Sequence, residues 1–189
     1  MHLATTDAAN ELLARDPLAL LIGMLLDQQI PMEKAFTSPE VLRERLGVPL
    51  DARTIAEYDA EAFEQLFRQP PALHRFPAAM ANRVQALARV LVERFDCDPA
   101  AVWTGATSGP QLVDRVAQLP GFGAQKAKIF TALLGKQFAV RPRGWRQAAG
   151  DYGVEGSLRS VADVVDPASL RAVRAHKQQA KAAAKAAQE

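Results

Sequence analysis

The chain has 189 residues, 49% of them hydrophobic and 23% charged, and a formal net charge of +2. That length and apolar content suffice for a real core and exclude a disordered or low-complexity protein. The single cysteine, Cys97, excludes an intramolecular disulfide and a cysteine-ligated iron–sulfur cluster, and no apolar run reaches the roughly 18 residues of a membrane span.

Apolar residues recur at helical spacing and strand-like alternation is almost absent, which predicts an all-α fold. The opening MHLATTDAANELLARD has an early acid and no long apolar core, so no signal peptide is expected and the cytoplasm is the expected compartment. Asp16-Pro17 supplies an N-cap and a first-turn proline for LALLIGMLLDQQ, an almost wholly apolar helix expected at the centre of the core. Pro31 ends it or starts the next. Ser38-Pro39-Glu40 predicts the start of a short helix through Leu46 that Gly47 closes, and two short pieces follow between Asp51 and Arg68. Pro77 begins what reads as the longest helix, striped by Met80, Val84, Leu87 and Leu91 up to Phe95. One turn near Trp103, a helix from Gly109-Pro110, a helix carrying Ala127, Phe130, Leu133 and Leu134, and a short helix from about Gly144 come next. A basic, alanine-rich helix from Asp166-Pro167 comes last, its final dozen residues expected to fray.

Between the helices at 110 and 130 stands LPGFGAQKAKIF, a proline–glycine turn leading straight into a basic helix start. Unpaired N–H groups and the positive end of the helix dipole make such a start an anion site, and glycines let a phosphate approach closely. A nucleotide-binding P-loop would need a longer glycine loop ending in Gly-Lys-Ser/Thr after a strand, and neither is present. Charge distribution points to a polyanion. Six basic residues and no acid lie between Gln118 and Arg146, and five more with no acid between Arg171 and Gln188, so the rest of the chain is net acidic. His2, His74 and His176 are too scattered to predict a metal site, and Trp103 and Trp145 are expected in the core.

QLPGFGAQKAKIF resembles the hairpin of the helix-hairpin-helix-GPD family of DNA glycosylases, and LLDQQIPMEKAF is similar to that family's glutamine-rich step; the likeness is nearest to the alkylpurine (3-methyladenine) branch. Spanning roughly Pro17 to Arg146, it implies a two-lobed helical bundle with the hairpin motif at about 110–135, and the chain is expected to form one domain over 1–189 that ends in the basic helix at 171–189. It also implies a monomer without cofactor or metal that binds damaged or distorted double-stranded DNA and extrudes one base into the cleft between lobes. Carried over by position, Gln29 would fill the hole left by that base. Gly121 and Gly123, with the N–H groups of Ala124 and Gln125, would hold a phosphate, and Lys126, Arg141 and Arg143 would add positive charge along the backbone.

Two departures bear on chemistry. Gln125 stands where the lyase-active branch has its lysine nucleophile, and Lys126, one residue on, lies about 100° further round the helix. Arg141-Pro142-Arg143-Gly144 stands where the family has its aspartate. Cleavage of an N-glycosidic bond builds positive charge on the sugar that an anion must stabilise, so Asp27 and Asp151 are the replacement carboxylates considered. The expected activity is therefore base excision without lyase activity. The alternatives are a catalytically inactive DNA-binding member and, if both motifs are coincidental, a helical interaction domain.

Overall fold

The computed structural model describes residues 2–186, and in them eleven α-helices and two 3-10 turns are joined with no β-strand. α1 (Asp7–Arg15) and α2 (Pro17–Leu26) meet at Asp16. The Asp16 carboxylate accepts from the N–H groups of Leu18 and Ala19 at 2.9 and 3.1 Å, and Pro17 fills the position whose N–H would be idle. Every residue of α2 after Pro17 is buried, as its unbroken apolar sequence requires.

α3 (Met32–Leu46) corrects the expected start at Ser38. Pro31 caps a helix that runs on through Pro39, the proline lying inside it. The Ser38 hydroxyl lies 2.8 Å from the Lys34 carbonyl and 3.0 Å from that of Leu73, so tertiary bonding supports the turn that Pro39 leaves short of a donor. Gly47, at φ +69°, ends the helix as expected. α4 (Ala52–Glu57) and α5 (Ala60–Arg68) begin at the caps Asp51 and Asp59. α6 (Pro77–Phe95) buries the predicted stripe, but with 19 residues it is one shorter than the last helix.

α7 (Ala101–Thr104), α8 (Gly109–Ala117), α9 (Ala124–Gln137) and α10 (Trp145–Ala149) follow, then 3-10 turns at Gly150–Gly153 and Val161–Asp163, and α11 (Pro167–Ala186). The expected fraying extends to residues 187–189, which lie outside the described residues. Helices α1 to α6 pack chiefly on one another, as do α7 to α11, and one continuous apolar core runs through both groups. Trp103 meets Phe130 edge-on and Trp145 seats its ring directly over Gly135, so both tryptophans are core residues. No helix among the described residues is long and apolar enough to cross a membrane.

Candidate nucleic-acid interface and active site

The hairpin between α8 and α9 is closed by the Phe122 N–H donating to the Leu119 carbonyl at 3.0 Å, with Gly121 at φ +83° turning the chain. Phe122 is buried edge-on against Phe130, which pins the turn to the core. A β-carbon at Gly121 would lie 3.0 Å from Leu25, so the turn rests on the end of α2. α9 then begins at Gly123 with no side-chain cap, leaving the N–H groups of Ala124, Gln125 and Lys126 without intrahelical acceptors.

Gly123 has φ −86° and open space where a β-carbon would be. The fold itself therefore tolerates alanine there, contrary to any conformational need for glycine in this half of the turn. Gly123→Ala should lower affinity for duplex DNA about tenfold while changing stability by less than about 1 kcal/mol. Fluorescence anisotropy beside a thermal melt checks both, and unchanged affinity would remove the phosphate clamp.

The glutamine step is held from three sides. Gln28 donates its amide to the Leu25 carbonyl at 2.8 Å and accepts from Arg83 at 3.1 Å, and its own carbonyl is 2.9 Å from His74 Nε2. His74 Nδ1 accepts the Phe76 N–H at 3.1 Å, so Nε2 carries the proton and donates to Gln28. Burial holds the His74 pKa below the usual range, keeping this neutral tautomer. Gln29 is left exposed with its backbone in the left-handed region at φ +57°. Gln28 is thus a brace, and Gln29 is the side chain presented to solvent. His74 gave no signal in the sequence, because its role depends on a loop packing against a residue 46 positions earlier.

Asp27 caps the C-terminus of α2 and is half-buried. Burial raises its pKa, and the charges of Lys177 and Lys126 oppose that rise. Lys126, expected on the phosphate-facing surface, turns into the junction between the two helix groups: its ammonium donates to the Leu25 carbonyl at 2.9 Å. Burial, helped by the charge of Arg83 and opposed by that of Asp27, lowers the Lys126 pKa to about 8. The Gln125 amide donates to the Tyr152 hydroxyl at 2.8 Å.

α11 completes this region. It is anchored by buried Val173 and by an ion pair from Arg174 to Glu33. Its Lys177 lines two cavities, one of about 370 Å³ that contains Asp27 and one of about 540 Å³ that contains Gln125, Asp151 and Tyr152. The larger has the volume of an ordinary small-molecule pocket, roughly 300–1,000 Å³. Asp151 is exposed and bridged to Arg159 at 2.5 Å.

Arg141 and Arg143 border neither cavity. Arg141 donates to the Gly135 carbonyl at 2.9 Å and lines a separate hollow with Lys136 and Asp163. Arg143 is exposed, and its carbonyl accepts the Gly109 N–H at 2.8 Å. No group of side chains suited to a metal ion occurs among the described residues.

The family model for HhH-GPD superfamily base excision DNA repair proteins matches residues 22–189. The chain belongs to this superfamily. Comparison with curated proteins and with solved structures gives no match. In this HhH-GPD protein the matched region contains the hairpin, the glutamine step, Asp27 and the described part of α11, so one family unit spans all the elements that build the two cavities.

Proposed function

We propose that this HhH-GPD protein acts as a monomer on damaged double-stranded DNA and excises a base as a monofunctional glycosylase, with Asp27 as its carboxylate. The observation that carries the reading is the half-buried Asp27, two residues from Leu25, on which the hairpin rests, and two residues from exposed Gln29. The α9 N–H groups would grip a phosphate, Gln29 would occupy the vacated stack, and Asp27 would stabilise the cationic sugar while water attacks it. Asp151 is the weaker candidate, since Arg159 already neutralises it. The alkylpurine likeness of the hairpin agrees with chemistry that forms no imine.

Arg141 and Arg143 are assigned to the DNA backbone. Replacing either with alanine should weaken binding to all sequences alike and reduce the salt slope by about one unit. A slope equal to wild type would place that charge away from the duplex.

Release of a free base from lesion-bearing duplexes tests the activity, and borohydride trapping on abasic DNA tests the absence of a lyase step. No covalent adduct is expected at pH 7, because Gln125 has no amine and the Lys126 ammonium is held by the Leu25 carbonyl. An adduct that grows as pH rises through 8 and disappears in Lys126→Met would make Lys126 a nucleophile and overturn the monofunctional assignment. A second reading, a non-catalytic sensor of distorted DNA, is favoured by Arg141 standing where the family has its aspartate; salt-sensitive binding with every base retained would select it.

A further inference from the structure

N-glycosidic cleavage separates opposite charges. The bond from C1′ to the base nitrogen breaks, its electron pair leaves with the base, and the sugar becomes an oxocarbenium ion that water captures, losing a proton to complete the hydrolysis. A base that is neutral in DNA therefore departs as an anion that must take up a proton, whereas a base made cationic by alkylation departs neutral.

The two cavities that meet at Lys177 match the first case. One holds Asp27, suited to the sugar cation. The walls of the other include Lys128, His176 and Lys177, and its one acid, Asp151, is already bridged to Arg159. Among the described residues neither Lys128 nor Lys177 has a salt-bridge partner. Tyr152 is the single phenol ring in that wall, which has no Phe or Trp, so a cationic base would meet like charge with little π-face to offset it. Gln125 and Tyr152 offer neutral hydrogen-bonding groups for a base edge.

We infer that the larger cavity selects deaminated bases, which bear ring carbonyls, are neutral in DNA and leave as anions, with Lys128 and Lys177 taking up the departing charge. The inference rests on the glycosylase reading above and separates this chain from the cationic lesions of the branch its hairpin resembles.

The test is single-turnover base release from duplexes carrying one deoxyuridine, one deoxyinosine or one 7-methyldeoxyguanosine, each rate divided by its spontaneous rate. The enhancement for uracil or hypoxanthine should exceed that for 7-methylguanine about tenfold or more. In the Lys128→Gln, Lys177→Gln double variant that ratio should fall by about tenfold. Both lysines are exposed, so folding is retained, and a ratio taken on one protein cancels any influence of Lys177 on Asp27. A 7-methylguanine enhancement equal to or above both others, or a ratio unmoved in the double variant, overturns the inference and leaves the glycosylase reading standing. Release from none of the three duplexes removes both.

Discussion

Asp27→Asn should reduce base release at least about 100-fold and leave duplex affinity within about twofold of wild type. The substitution removes a charge and almost no volume, and the loss of one group aimed at transition-state charge costs roughly 10²–10³ in rate. Affinity should survive because the proposed DNA contacts, the hairpin N–H groups and Gln29, lie on other residues. The pH dependence follows from burial. Asp27 must be ionised to stabilise the sugar, and its pKa is raised, so the acid limb of the rate profile should lie above the ordinary carboxylate value of about 3.9. Activity then rises with pH through that limb. Full activity in the Asn variant would clear Asp27, and a parallel loss in Asp151→Asn would move the assignment there.

Gly109→Ala should destabilise the protein by about 3 kcal/mol or more, a fall in melting temperature of about 6–12 °C for a chain of this length. Gly109 opens α8 and donates its N–H to the Arg143 carbonyl at 2.8 Å. A β-carbon there would lie 2.5 Å from the Gly144 carbonyl oxygen and 2.6 Å from the Trp145 Cα, and backbone atoms cannot swing aside as a flexible side chain can. Relief requires moving α10 away from α8, which would also lift Trp145 from Gly135. A melting temperature equal to wild type would show that the Arg143–Gly144 loop gives way without cost.

Much of the fold was legible because its signals are local. Asp16-Pro17 and Gly47 are terminal signals that act through their own backbone neighbours, and the structure uses both as read. α3 was misjudged at Ser38-Pro39 because proline normally marks a helix start; here contacts to the loop around Leu73, invisible in the sequence, carry the helix through it. The candidate site divides in the same way. The hairpin and the glutamine step were legible as short motifs. That Lys126 faces inward could not be read, since its partner is a carbonyl 101 residues away, and spacing on α9 says nothing of what lies opposite. Likewise, a sequence with Asp27 at 27 and Lys177 at 177 gives no hint that they border one cavity.

The order in which these parts are synthesised has a consequence for the cell. The α9 clamp and Asp27 precede α11 along the chain, so a ribosome, a protease or a premature stop that leaves out α11 yields a fragment with the grip and the carboxylate but without the wall that Lys177 supplies. Loss of Val173 would expose core as well. On the glycosylase reading such a fragment would be a competitor: it would grip a lesion that it processes more slowly and shield it from the intact protein.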